Sequence, residues 1–369
     1  MLLPQQQTNK TVFIRILMLA CWVGLIVLFL YLPTLLSWRL QAQSINVFSW
    51  SGLFDTQYIA KFEKETGIKV NFSYYESNEE LLVKLKATGG RGYDLIVPSD
   101  YTVNVLRREN LLQKIDKSKL DFYSALNKTL LNHYFDPENN YSIPFEWAVF
   151  GLGIDKAGIN SQDASQATWG LVFDKSLIKS KIVMINDPLV AIPLAAFYLF
   201  QSLNDIDQAK LEQIKALLLT QKKWVEAYAD FRADYMIVTK NAQVAVASSS
   251  YIWRSMKEYT NIDFIVPKEG SLVTVESLAL PVGTTKQDLV YKFINFMYKP
   301  ETVEHQFKTF AFFPVTTDVL PRLQLTDSVR KLLTLSPEEF KQFDFFRYDY
   351  FKAPITPQTL QDLWVTVKS

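Results

Sequence analysis

Aromatic, hydroxyl and carboxylate side chains stand where two predicted strands of this chain end. Trp50 and Ser51 close a short apolar run, and Ser99, Asp100 and Tyr101 follow a second one. In a parallel sheet with helical crossovers, ligands bind at the carboxyl ends of the strands. The sequence therefore predicts a small-molecule site at this edge of a sheet.

Two strand-helix-strand units position these side chains. They are a strand over Ser44–Trp50, a helix over Asp55–Thr66 closed by Gly67, a strand over Ile68–Glu76, a helix opened by a Ser77/Glu80 capping box and closed by Gly89, and a buried strand over Tyr93–Val97. Consecutive units of this kind imply a parallel sheet with right-handed crossovers. We therefore expect an α/β fold.

A second stretch of similar alternation follows. It comprises strands at Ile182–Ile185 and Val244–Ala247, helical turns at Leu194–Leu203 and Ile214–Ala227, and a helix over Asp288–Tyr298. A chain of 369 residues accommodates two lobes plus an extra segment, and no low-complexity linker separates the halves. Two lobes without a flexible tether predict a cleft between them, a common place for a small-molecule site.

Several kinds of chemistry are disfavoured by composition. Cys21 is the one cysteine, and His133 and His305, the two histidines, are far apart in sequence. The chain therefore offers too few cysteines and histidines to favour a zinc site, a Cys/His nucleophilic pair or a histidine-centred triad. Beyond residue 43 there are 36 basic and 38 acidic side chains, a net charge of −2, and this body lacks the basic patch that nucleic-acid binding requires.

The N-terminus carries a membrane segment. Residues 16–36 are 21 residues without a charge, enough for about 30 Å of helix. Lys10 and Arg15 precede the run and Arg39 follows it, which predicts a cytoplasmic N-terminus and an exported body. The run is longer than the apolar region of a signal peptide, so we expect an uncleaved anchor, with cleavage after Ala42 as the alternative.

The exported body contains several distinctive short motifs. They are 65–70 (ETGIKV), 75–79 (YESNE), 84–86 (KLK), 93–99 (YDLIVPS), 113–120 (QKIDKSKL), 141–144 (YSIP), 266–270 (VPKEG), 277–281 (SLALP) and 292–296 (KFINF). In type and order these motifs resemble those of the spermidine/putrescine-binding proteins of ABC importers. The resemblance covers nearly all of residues 44–320.

The resemblance implies a type II periplasmic binding fold, with two α/β lobes joined by crossing strands near residues 149 and 275. Residues 1–43 would be the anchor or signal segment. Lobe 1 would comprise 44–148 and 276–321, and lobe 2 would comprise 149–275 and 322–369. Such a protein is a monomeric, non-enzymatic receptor without a cofactor, which delivers a polyamine to a membrane permease.

Carried over position by position, the resemblance also implies the ligand site. The residues it assigns to polyamine binding are Trp50, Ser51, Ser99, Tyr101, Asp187, Glu276 and Phe313, and Glu146 near the first crossing is a candidate for an added carboxylate. Carboxylates suit the desolvated ammonium groups of a polyamine, while aromatic faces contact its methylenes and attract its charge.

The chain departs from the family pattern at several pocket positions. Gly52 and Leu53 replace an acid and a tyrosine, and Val190 replaces a carboxylate. Ser248 and Thr274 stand at tryptophan positions, Phe313 at a tyrosine position and Glu276 at an aspartate position. Loss of one member of a buried charge pair costs about 2–5 kcal/mol. We therefore expect a cationic amine ligand, with an affinity or preference that differs from the family norm.

Two other interpretations remain open at this point. The chain could be a membrane-anchored sensor or scaffold that keeps the fold but has altered or lost polyamine binding. It could also be a hydrolase that uses Asp187 and Glu276 as a carboxylate pair, although no nucleophile motif, metal-ligand spacing or phosphate loop accompanies these two acids.

Overall fold

The computed structural model describes residues 5–159, 167–178, 180–229 and 232–369. The strands are β1 (Ser44–Trp50), β2 (Lys69–Tyr75), β3 (Leu95–Ile96), β4 (Ile143–Asp155), β5 (Ile182–Met184), β6 (Val225–Tyr228), β7 (Val244–Ser248), β8 (Ile262–Ile265), β9 (Ser271–Leu278) and β10 (Phe343–Phe345). The helices before β5 are α1 (Gln5–Ala42), α2 (Thr56–Thr66), α3 (Asn78–Thr88), α4 (Asp100–Arg108) and α5 (Gly170–Phe173). Those after it are α6 (Pro188–Phe200), α7 (Gln208–Gln221), α8 (Ala233–Val238), α9 (Ser249–Met256), α10 (Gln287–Met297), α11 (Pro300–Phe310), α12 (Asp327–Leu333), α13 (Pro337–Phe340) and α14 (Pro357–Lys368).

The first sheet confirms the predicted parallel units. Its order is β2-β1-β3, and both pairs are parallel, so the three strands end at one edge. The last of them is shorter than the predicted strand over Tyr93–Val97, because the ladder with β1 joins only Leu95 and Ile96. The side chains at this edge are therefore carried by the residues that follow β1, β2 and β3.

Local capping fixes the two helices between these strands. The Asp55 side chain accepts hydrogen bonds from the backbone N–H groups of Gln57 and Tyr58, and Gly67 ends α2 at φ 71°. The Ser77 side chain accepts from Glu80 N, as the predicted capping box requires. The reciprocal bond differs from the prediction, because the Glu80 carboxylate accepts from Glu76 N.

Two long strands connect the halves of the molecule. β4 and β9 pair antiparallel from Ile143↔Leu278 to Val149↔Val273, and they contain both of the positions, 149 and 275, at which the resemblance places the crossings. They belong to a sheet of order β10-β9-β4-β7-β5-β6, in which β8 also pairs with β4. Bridges at Ile96↔Ala279 and Ser99↔Glu276 connect the first sheet to β9 and the residue that follows it.

The body has two hydrophobic cores. Among the described residues, one core lies around β1, α4, α10 and the first half of β4 and continues to α8, α9 and β8. The other lies between the second sheet and helices α6, α7 and α14. The residues in these cores lie between Ile45 and Val367, so none of the described side chains of α1 belongs to them. Within α1, the side chains of Phe13–Leu32 are exposed, and this segment is long and apolar enough to cross a membrane.

Candidate functional site

A cavity of about 390 Å³ opens where the ends of the first sheet face α6 and the crossing strand β9. Its lining combines acidic, polar and apolar side chains from both halves of the molecule. The lining residues are Trp50, Glu76, Ser77, Asn78, Glu79, Ser99, Asp100, Tyr101, Phe150, Asp187, Leu189, Val190, Leu272, Val273, Thr274, Glu276, Phe346 and Gln361.

Glu276 is the central acceptor of this cavity. Its Oε2 accepts a hydrogen bond from Trp50 Nε1 at 2.9 Å, and its Oε1 accepts one from Ser99 Oγ at 2.7 Å. The side chain of Thr274, two residues earlier on β9, also hydrogen-bonds this carboxylate. Donors from three separate segments therefore hold the Glu276 carboxylate in one orientation.

Asn78 extends this network along the edge of the first sheet. Its Nδ2 donates to Ser99 Oγ and to Tyr101 Oη, each at 3.0 Å, and its Oδ1 accepts from Ser99 N at 3.3 Å. Asn78 is only 4% exposed. Because Ser99 accepts from Asn78, its hydroxyl proton points to Glu276, which fixes the direction of the whole chain of hydrogen bonds.

A second group of acids lies nearer the other end of the cavity. Asp187 caps α6, and its carboxylate accepts from Leu189 N at 2.8 Å. Glu79 lies in the first turn of α3. Burial, followed by the charges of Glu79, Tyr348 and Asp187, raises the pKa of the Tyr101 hydroxyl well above its usual range. Both carboxylates therefore lie within electrostatic reach of one hydroxyl.

Three carboxyl groups at and around Glu276 have raised pKa values. Burial raises the pKa of Glu276 to about 7. Burial also raises the pKa of Asp100 to about 7, with a further rise from Glu276, although the Asp100 carboxylate accepts from Val275 N at 3.0 Å. Burial and the charge of Glu276 raise the pKa of Glu146 well above its usual range. The inner end is therefore an electronegative region in which protons are retained near neutral pH.

The charge of the lining selects against anions. Five lining residues are carboxylates, and none of the described lining residues is a lysine, arginine or histidine. Leu189, Val190, Leu272 and Phe150 add apolar surface to the same lining. A ligand with cationic ends and an apolar middle satisfies this arrangement, because each buried charge then has a partner.

The structure brings together five of the eight residues singled out from the sequence. Trp50, Ser99, Tyr101, Asp187 and Glu276 all line the cavity. Three others do not, and each has a different location.

Ser51 lies in the exposed turn after β1, outside the lining. Phe313 is 1% exposed and packs edge-on against Trp147, with ring centroids 5.4 Å apart, so its ring belongs to the core beside β4. Glu146 is not a lining residue, but it pairs directly opposite Glu276 on the crossing strands.

The departures from the family pattern have specific locations. Val190 and Thr274 line the cavity. Leu53 is buried, Gly52 adopts φ 81° in the turn after β1, and Ser248 caps α9 by accepting from Ser250 N. Val190, Thr274 and Glu276, which replaces an aspartate, are therefore the departures that change the described cavity lining.

Sequence reasoning missed the contribution of the segment after β2. Glu76, Ser77, Asn78 and Glu79 follow that strand and line the cavity. Because β2 is parallel to β1 and β3, the rule applied to the other two strands would also have selected this segment. Gln361 on α14 lies more than 80 residues after Glu276 and carried no comparable local signal.

Comparison with known proteins places this site in a family context. The model of the family described as bacterial extracellular solute-binding protein matches residues 57–331. The spermidine/putrescine-binding periplasmic protein of Escherichia coli (strain K12) is 32% identical over 300 residues, which cover 80% of this chain and 83% of that protein. The putrescine/cadaverine-binding protein of Pseudomonas aeruginosa is 28% identical over 265 residues, covering 69% and 75%.

Solved structures share the fold. A putative spermidine/putrescine ABC transporter from Listeria monocytogenes superposes with a TM-score of 0.73 at 26% identity, covering 88% of this chain and 99% of that one. The spermidine/putrescine ABC transporter substrate-binding protein PotD from Streptococcus pneumoniae gives a TM-score of 0.74 at 24% identity, covering 88% and 98%. The type II periplasmic binding fold expected from the sequence is thereby confirmed.

Proposed function

This chain belongs to the bacterial extracellular solute-binding protein family, and we propose that it captures a polyamine in the cavity between its lobes and delivers it to an ABC permease. Relatives with this sequence pattern are spermidine/putrescine-binding and putrescine-binding periplasmic proteins. The protein acts as a receptor and not as an enzyme.

The observation that carries this proposal is the charge of the cavity. Five carboxylates face a space of about 390 Å³, and no basic residue is among its described lining. Leaving such charges unpaired in a closed cleft costs several kcal/mol, whereas a ligand with ammonium groups satisfies them. Neutral sugars and anionic ligands lack this complementarity.

The two groups of acids suggest how a diamine lies in the cavity. One ammonium group contacts Glu276 and the face of Trp50, which adds cation–π attraction. The other lies between Asp187 and Glu79, and the methylene chain runs along Val190. Ser51 and Phe313 are not part of this binding mode, because they lie outside the cavity.

Closure of the lobes would complete the site. We propose that residues 44–148 and 276–321 move against residues 149–275 and 322–369, with β4 and β9 as the hinge strands. Tyr101 already packs edge-on against Phe346 and Tyr348, with ring centroids 5.8 Å and 6.3 Å apart. These contacts join α4 to the C-terminal segment and support closure at this end of the cavity.

We propose that α1 tethers the body to the outer face of the cytoplasmic membrane. The apolar segment Phe13–Leu32 lies within one helix that continues to Ala42, and only Gln43 separates this helix from β1. Tethering raises the local concentration of a receptor beside its permease. Mass spectrometry of the protein from membranes tests this proposal: an intact N-terminus supports the anchor, and a chain that begins at Gln43 contradicts it.

Ligand titration tests the receptor function. We would follow tryptophan fluorescence and melting temperature of the full chain, in an uncharged detergent, with putrescine, spermidine and 1,4-butanediol, a neutral analogue of putrescine. A ligand at 100 times its Kd stabilises the folded state by about 2.7 kcal/mol, so the amines should raise the melting temperature by several degrees. An equal response to butanediol, or none to either amine, would contradict the proposal and favour an anchored sensor.

A further inference from the structure

Glu146 and Glu276 face each other across the crossing strands. They are directly paired in the antiparallel ladder of β4 and β9, so their side chains leave the sheet on the same face. Directly opposed residues in such a ladder have Cβ atoms about 5 Å apart. Two acids are thus adjacent at the floor of the cavity, although only Glu276 is among its lining residues.

The two carboxyl groups differ in the hydrogen-bond donors that the protein supplies to them. Glu276 accepts hydrogen bonds from Trp50 and Ser99 and is also bonded by Thr274. Glu146 Oε2 is buried and has no hydrogen-bond partner in the described part of the chain. Donors stabilise a carboxylate, so the negative charge is favoured on Glu276 and a proton is favoured on Glu146.

The groups around this pair do not offset its charge. Asp100 on α4 and Tyr75 on β2 lie within electrostatic range of Glu276. The other titratable groups of the cavity lining are Tyr101, Glu76, Glu79 and Asp187. On the α10 side, the Tyr298 hydroxyl donates to the Pro144 carbonyl, and Tyr75 donates to the Val97 carbonyl. No lysine, arginine or histidine is among the cavity residues that the structure describes.

We propose that Glu146 and Glu276 share one proton in the ligand-free protein and that the ammonium group of the ligand replaces this proton when it binds. The inference rests on the proposed function, since it assigns a proton-linked role to the inner end of the same cavity. Glu146 would thereby become a second carboxylate for one ammonium group.

The exchange is balanced without any further reactant. The O–H bond of the Glu146 carboxyl breaks and its proton leaves to solvent. The ammonium group, which keeps all of its protons, then donates N–H hydrogen bonds to Glu276 and to the newly ionised Glu146. One positive charge, the ammonium group, enters the floor of the cavity, and one, the proton of Glu146, leaves it. The net charge of this region is therefore the same before and after binding.

This exchange makes amine affinity depend on pH. Burial raises the pKa of both carboxyls, that of Glu276 to about 7, so the shared proton is present at and below neutral pH. The ligand must displace it there, and affinity should fall by about tenfold for each pH unit below the pKa of the pair, with a plateau above it. Acidification therefore releases the ligand.

Calorimetry in buffers of different ionisation enthalpy measures the protons released per amine bound. We expect about one proton released by the full chain in uncharged detergent near pH 6.5, and close to none by Glu146→Gln, because the new amide donates to Glu276 and lowers its pKa. Glu226→Gln, on the exposed strand β6, is the matched control and should behave as the unaltered protein. Equal proton release with and without the Glu146 carboxyl would overturn the proposal.

A titration without ligand separates this inference from the proposed function. The carboxyl carbon of Glu146, followed by ¹³C NMR in the ligand-free protein, should titrate above pH 6. An ordinary pKa near 4.5 for this carboxyl would overturn the proposal of a shared proton even if amines bind. A raised pKa of Glu146 together with no amine binding would support the shared proton and show that the proposed ligand is wrong.

Discussion

Replacing Glu276 with glutamine removes one charge from the centre of the cavity and keeps the shape of the side chain. The remaining amide oxygen can still accept from Trp50 Nε1, which now lies 2.9 Å from Glu276 Oε2, so the indole should keep its position. The ammonium group of the ligand, however, loses the carboxylate that we assign to it. The substitution therefore tests the charge and leaves the packing in place.

The expected loss follows from the placement of this carboxylate. Removing one partner of a buried, hydrogen-bonded charge pair costs about 2–5 kcal/mol, which corresponds to roughly a 30- to 5,000-fold increase in Kd. Because Ser99 and Trp50 already orient the Glu276 carboxylate, little ordering is needed on binding, and we expect a value in the upper half of this range.

Calorimetric titration with putrescine at pH 8 measures this difference where proton exchange contributes least. Glu226→Gln, which removes an exposed strand carboxylate that is not among the cavity-lining residues, should leave the Kd unchanged. A change of less than threefold on Glu276→Gln, with the control unchanged, would refute the assignment of Glu276 as the main counter-charge.

Three other predictions follow from the same structure. Burial raises the pKa of Asp100 to about 7, so the folded state holds a proton that the unfolded state loses near pH 4. The free energy of unfolding therefore falls as the pH rises from about 4 to 7. Asp100→Asn should raise the melting temperature more at pH 8 than at pH 4. A Cβ on Gly283 would lie 2.5 Å from the backbone oxygen of Gly90, so Gly283→Ala should lower the free energy of unfolding, measured by urea titration, by about 1–3 kcal/mol. Phe313→Leu should lower the melting temperature while leaving amine affinity within threefold, since its ring packs in the core; a selective loss of affinity would restore the ligand role that the resemblance implies.

The first sheet could be predicted from the sequence because its signals are local. The alternating and apolar runs of β1 and β2 are each bounded by a helix cap, and Asp55 and Gly67 make the capping contacts expected of them. The crossing strands β4 and β9 had no such signal of their own. Their pairing joins residues more than 120 positions apart, so only the family resemblance located them.

Part of the site was predictable for the same reason. Ser99 and Tyr101 follow a strand whose direction the sequence reveals, and both lie in the cavity. The position of Phe313 came from the family resemblance alone, and its ring packs against Trp147 in the core. The pairing of Glu146 with Glu276 depends on the register of two distant strands, which no local pattern determines.

A structure of the protein with putrescine tests the central claim most directly. We predict one ammonium nitrogen within hydrogen-bonding distance of the Glu276 carboxylate, the other between Asp187 and Glu79, and the methylenes against Val190. Putrescine bound at another surface, or an empty cavity at saturating putrescine, would contradict the account.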